Sequence, residues 1–110
     1  MLQEKKNQPV ILACAAWKDR VNMEDMLFAG AVIDRVKEHF TIQCDSSQIA
    51  ETLYCVARED LFSFMKEKDA SHYHRLSGFG LEKDIQYCLT PDVANVLPFY
   101  ETGKLNIHKW

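Results

Sequence analysis

Two cations and two adjacent carboxylates stand within one short stretch: Lys18 and Arg20, then Asn22, then Glu24 and Asp25. Lysine and arginine side chains hold oxyanions, and a helix that starts here adds unpaired N–H groups and the positive end of its dipole. Lys18, Arg20 and Asn22 are therefore the candidate substrate-binding residues, a seat for phosphate or sulfonate oxygens. Glu24 and Asp25 are hard oxygen donors of the kind Mg²⁺ takes, with one or two carboxylates joined by substrate oxygens and water. Both sets also have a plainer reading. The charges of a solvated loop pair with Asp19 and Glu24, and acidic residues in a first turn stabilise a helix without any metal. The residues by themselves leave these readings open.

Cys14 precedes the stretch, where cations and a helix start would stabilise a thiolate. Arginine follows it six positions on, at Arg20, with no glycine between. That spacing is not the cysteine-to-arginine loop of cysteine-dependent phosphatases, so Cys14 reads as a buried structural thiol. Cys44, Cys55 and Cys88 are widely spaced and form no CxxC pair, which argues against a zinc ribbon or a thioredoxin-like site. Most of the four are expected to be free and buried. His72 and His74 are two apart, a spacing that on a helix points them to different sides and speaks against joint metal ligation.

Elements must bring these residues together. Val10 to Ala15 is a continuous apolar run without alternation, the pattern of a strand covered on both faces in an α/β protein. Asn22 with Asp25 three positions on resembles a capping box. The helix after it places Met23, Met26, Leu27, Gly30, Val32, Ile33, Val36 and Phe40 on one stripe and ends near His39. Gly30, between Ala29 and Ala31, would let that helix press against the sheet. In open α/β sheets ligands sit at the carboxyl ends of strands, beside helix N-termini, which makes the stretch from Lys18 to Asp25 the predicted site.

Further helices are predicted from Asp45, with Ile49, Ala50, Leu53, Tyr54, Val56 and Ala57 inward, and from Glu59-Asp60. A short turn starts at Ser71 and closes with Gly78 and Gly80. Leu81 to Leu89 is helical, with Ile85, Cys88 and Leu89 inward, and Thr90-Pro91 stops it. Val96 to Tyr100, a Glu101-Thr102-Gly103-Lys104 turn and Leu105 to His108 form a hairpin, in which Pro98 marks an edge strand. One hairpin and one strand are too small a sheet to bury Val10 to Ala15 on both faces. Either the hairpin pairs with Val10 to Ala15 or strands from outside this chain complete the sheet, and the second is expected.

The 110 residues, with 47% hydrophobic and 26% charged side chains and a net charge of −3, have the makeup of one globular domain after a polar lead-in, residues 1–8. The acidic balance offers no broad attraction to nucleic acid or to an anionic membrane. Neither a membrane-spanning run nor the apolar core of a signal peptide is present, so a cytoplasmic protein is expected.

Taken together, CAAWKDRVNMEDMLFAGAVIDR, SHYHRLSGFGLEKDIQYC and VLPFYETGKL make this chain resemble the C-terminal half of the 2-phosphosulfolactate phosphatase family. Cys14, Ala15, Arg20, Glu24, Asp25, Ala29, Gly30 and Ala31 fit the family's C-A-G-x-x-G-R-x-S-x-E-D-x-x-x-A-G-A segment. Ser71, Leu76, Gly80, Asp84, Ile85 and Cys88 echo a later one, with His72 near the family's histidine. Ala16 and Asp19 stand where the family tends to have glycine, and Asn22 where it tends to have serine.

The resemblance implies a three-layer α/β/α fold, here half of a larger mixed-sheet fold with a C-terminal β-hairpin, so that residues 1–110 form the C-terminal half of the domain. It implies Mg²⁺-dependent hydrolysis of 2-phospho-3-sulfolactate to 3-sulfolactate and phosphate, a step toward coenzyme M. Glu24 and Asp25 then act as catalytic and metal-holding residues. It implies as partners a small phosphorylated sulfonate or another phosphoester, and an N-terminal half or a second copy, without which the chain is expected to be inactive. The rival expectation is a noncatalytic α/β module that assembles through its incomplete sheet.

Overall fold

Leu27, Gly30 and Ile33 recur at helical spacing, and in the computed structural model, which describes residues 8–109, they are buried along one side of α1 (Met23–Val36). That side packs on α2 (Asp45–Ala57), the most extensive contact between helices. Gly30 is what allows it. A Cβ at this position would lie 2.7 Å from Tyr54 Cβ and closer still to the Ala50 carbonyl oxygen. The close approach expected of Gly30 is thus made, but against a helix rather than a sheet. Lys37, just past the end of α1, ties the pair outside by donating to Asp34 and to Glu51, each at 2.8 Å. Those two carboxylates hold the Lys37 ammonium well above its usual range, and Lys37 in turn leads the causes that lower Asp34.

Three short helices follow, and their apolar residues close over the start of α1. Asp60 caps α3 (Leu61–Glu67): its carboxylate accepts the Ser63 N–H at 2.9 Å and the Ser63 hydroxyl at 2.7 Å, which lowers its pKa. Met65, Ala70, Tyr73 of α4 (Ser71–Ser77) and Ile85 of α5 (Glu82–Cys88) are buried with Leu27 and Ala57 in one cluster. Phe62 meets Tyr73 edge to face, with centroids 5.9 Å apart. Because Leu27 and Tyr73 share this cluster, α4 is fixed beside the first turns of α1.

The hairpin forms as expected. β1 (Val96–Glu101) pairs antiparallel with β2 (Lys104–Lys109), from Val96 opposite Lys109 to Glu101 opposite Lys104. Thr102 and Gly103 form its two-residue turn, with φ of 49° and 80°, the conformation that follows strand twist. Pro98, opposite Ile107, sits in an edge strand. Helices and a sheet are both present, as an α/β protein requires, and no helix among the described residues is long and apolar enough to cross a membrane.

Several expectations are corrected. Val10 to Ala15 pairs with no strand among the described residues, and its side chains are exposed, Ile11 to 88%. An extended segment becomes a strand only where a neighbour takes its N–H and C=O groups, and the hairpin pairs with itself instead. The four cysteines are free, as expected, but all are exposed rather than buried, Cys14 and Cys88 included. On α2 the inward face is narrower than the sequence suggests: Ala50 and Ala57 are buried, while Ile49 and Val56 lie outside. The starts expected at Asp45 and Ser71 are met, with Cys44 and Ala70 at the N-cap positions before them. The polar lead-in, apart from Gln8, falls outside the described residues.

Candidate functional site

Lys18 and Asp19 form the tip of a two-residue turn. Trp17 and Arg20 close it with reciprocal backbone hydrogen bonds, each 3.0 Å. Both tip residues have positive φ, 51° and 58°, and Ala16 just before them has 63°. An L-residue in this region costs about 1 kcal/mol or more, which glycine avoids. Ala16 and Asp19 are the positions at which the resembling family pattern has glycine, so here the loop carries the strain on side-chain-bearing residues. The turn presents Lys18, Asp19 and Arg20 at the surface.

The next residues anchor the turn to α1. Asn22 takes the N-cap position, as expected, and is buried to 4% exposure. Its side chain makes no capping hydrogen bond, so no capping box forms. Asp25 instead reaches back, its Oδ2 accepting the Ala16 N–H at 3.0 Å. The carboxylate that the sequence assigns to helix capping therefore fastens the strained loop. Glu24 points elsewhere: its Oε1 meets Nδ1 of His72, on α4.

His72 and Arg75 were not among the site residues expected from the sequence, and the fold supplies them. His72 lies edge-on to the Trp17 ring, with centroids 5.5 Å apart and planes at 75°. The Arg75 guanidinium sits 4.9 Å from the centroid of that ring, and Lys18 Nζ 5.9 Å from it. Trp17 thus carries two cations, each within the range of a cation–π contact. His72 and His74 face different ways, as their spacing predicts: His74 is exposed and its Nδ1 lies 3.1 Å from Asp69 Oδ1. The signal that could have found His72 was its place near the family's histidine. Arg75 and Trp17 gave none, because a cation three residues after a histidine, or an aromatic in a loop, is common on any surface.

Glu24 Oε2 and His72 Nε2 are shielded from solvent and have no hydrogen-bond partner among the described residues. Buried polar atoms are nearly always paired, so these two mark a place made for a further polar group. The Glu24 carboxylate oxygen there is of the kind a divalent cation takes, while Asp25 is engaged with the Ala16 N–H. His72 Nδ1 meets the other oxygen, Oε1, and so orients the carboxylate. The remaining acidic group, Asp34 and Glu51 with Cys55, is already neutralised by Lys37, with Arg58 3.8 Å from Asp34.

A second concavity, about 790 Å³, runs between the 9–14 segment, α1 and the start of α2. Val10, Leu12, Val32, Ile33, Phe40 and Ile42 make it mainly apolar. Cys44 stands at its edge, its thiol lowered to about 7 by the Ser46 hydroxyl first and by the Ser47 and Ser46 backbone amides.

Comparison with known proteins identifies the family. A family model described as 2-phosphosulpholactate phosphatase matches residues 1–103. A Thermotoga petrophila protein named "Probable 2-phosphosulfolactate phosphatase" is 34% identical over 90% of this chain and 42% of its own length. Proteins of the same name from Thermotoga maritima, 33% identical over 90% of this chain and 42% of their counterpart, and from Synechocystis, 32% identical over 88% and 41%, are similar to the same extent. The chain therefore spans about two fifths of the length of these relatives. No solved structure matches. With the family model matched through Gly103 and relatives 32–34% identical along about nine tenths of its length, the chain belongs to the 2-phosphosulfolactate phosphatase family.

Proposed function

We propose that this chain carries the anion- and metal-holding part of a Mg²⁺-dependent phosphatase. Its reaction is hydrolysis of 2-phospho-3-sulfolactate to 3-sulfolactate and phosphate, a step toward coenzyme M in the cytoplasm. The observation that carries this reading is the shielded, half-partnered Glu24 carboxylate beside a turn that offers Lys18 and Arg20. Glu24 and Asp25 would hold the metal, which supplies charge neutralisation at the phosphoryl oxygens. Lys18 and Arg20 hold phosphate or sulfonate oxygens, and Asn22 and the backbone at the head of α1 complete the seat. His72 keeps the Glu24 carboxylate in one orientation. Asp25 holds the loop by its bond to Ala16, so its two oxygens divide between structure and metal.

The rest of the family's fold belongs to this proposal as the partner. Val10, Ile11 and Leu12 expose apolar surface beside the groove on α1, and relatives are more than twice as long as the matched region. Residues 1–110 then act as the C-terminal half of a three-layer α/β/α domain, with Val10 to Ala15 becoming a strand when that sheet is supplied.

Phosphate release from 2-phospho-3-sulfolactate tests the reading, measured with Mg²⁺ on the chain combined with the segment of the Thermotoga petrophila relative that it does not cover. Release is expected, together with a loss of about a hundredfold or more in Glu24→Gln, the size usual when a group stabilising transition-state charge is removed. Absence of release from the combined protein, or full activity in Glu24→Gln, would refute it.

A further inference from the structure

Arg75 is exposed, yet it lies over Trp17 at 4.9 Å and makes no ion pair or hydrogen bond with a carboxylate among the described residues. At that distance the guanidinium is within cation–π range of the indole. With no carboxylate partner among the described residues, its N–H donors remain available for an oxyanion. The contact with the ring also limits where the group lies, which lowers the entropy lost when it binds.

The second cation on the ring is Lys18, at 5.9 Å, so its charge lies no farther from that of Arg75 than those two distances combined. One belongs to the turn before α1 and the other to α4, and His72, on the same short helix as Arg75, meets Glu24. A phosphoester bound at the turn therefore has a second positive group within that reach.

We propose that Arg75, held by Trp17, seats a second oxyanion of the substrate, a sulfonate or a carboxylate, and so determines specificity for polyanionic over simple phosphoesters. This rests on the phosphate reading of Lys18 and Arg20 and adds to it a residue from α4. Trp17 acts as a positioning residue, since it touches Arg75 and not the anion.

Titration calorimetry on the full chain tests this with two probes, 2-phosphoglycolate, which carries a phosphate and a carboxylate, and methyl phosphate, which carries the phosphate alone. Wild type is expected to bind 2-phosphoglycolate about tenfold tighter than methyl phosphate, the scale of one charge-assisted pair. Arg75→Ala, and equally the neutral Arg75→Gln, should remove most of that difference and leave methyl phosphate binding within about twofold of wild type. Lys18→Ala should weaken both probes. Sulfoacetate competing with 2-phosphoglycolate in wild type but not in Arg75→Ala extends the seat to sulfonates; competition unchanged by the substitution counts against the proposal. If Arg75→Ala weakens both probes alike, or neither, Arg75 does not read a second anion and the proposal falls, while the phosphate reading stands on methyl phosphate and Lys18. If wild type binds neither probe, both fall together.

Discussion

Residues two or three apart at the head of α1 have separate tasks. Glu24 and Asp25 are neighbours in sequence, but adjacent positions on a helix point about 100° apart. One carboxylate meets His72 while the other fastens the loop at Ala16. Adjacent acidic residues therefore need not make the same contact. Cys44 gives a residue-scale prediction. The Ser46 hydroxyl and the Ser46 and Ser47 amides stabilise its thiolate, so alkylation by iodoacetamide should rise as pH rises through about 7, below the ordinary thiol value of about 8.5. Mass spectrometry of labelled peptides across pH 5 to 9 measures it. A Cys44 midpoint above pH 8.5, or a fast phase at pH 7 that survives Cys44→Ser, would contradict it.

The packing of α1 on α2 is the element that sets the site's position, because the core that holds α4 beside α1 includes Ala57 at the end of α2. Gly30 sits where the two helices are closest. Its replacement by alanine puts a methyl against backbone of α2, which a side-chain rotation cannot relieve. Gly30→Ala should destabilise the fold by about 2–3 kcal/mol, despite alanine's better helix propensity, because overpacking against backbone outweighs that gain. Denaturant unfolding followed by circular dichroism would show it as a lower midpoint. A midpoint equal to or above wild type would mean that the helices separate at no cost.

For the molecule as a whole, the exposed 10–12 segment and the groove on α1 define the open side. Fully covering an exposed Ile side chain contributes about 1.5–3 kcal/mol, so Ile11, 88% exposed, offers most to a partner element and Val10 and Leu12, 40% and 36% exposed, add less. Light scattering of the chain with the uncovered segment of the Thermotoga petrophila relative should give a one-to-one complex, and Ile11→Lys should reduce it. If the wild-type chain stays at its monomer mass, 12.7 kDa, in that mixture, the sheet-completion reading is wrong.

The sequence by itself determined what depends on local order. Helical spacing placed α1 and α2, the Thr102-Gly103 turn fixed the hairpin register, Asn22 was recognisable as an N-cap, and the order of motifs assigned the family. Only the tertiary structure decided which groups meet. A strand pattern at Val10 to Ala15 could not say whether a neighbour would be there to pair with it, since pairing is a property of two segments. His72 and Arg75 reach Glu24 and Trp17 because Leu27, Met65 and Tyr73 share one core. Side chains roughly fifty residues apart in the chain are joined by packing, and no spacing along the sequence records that.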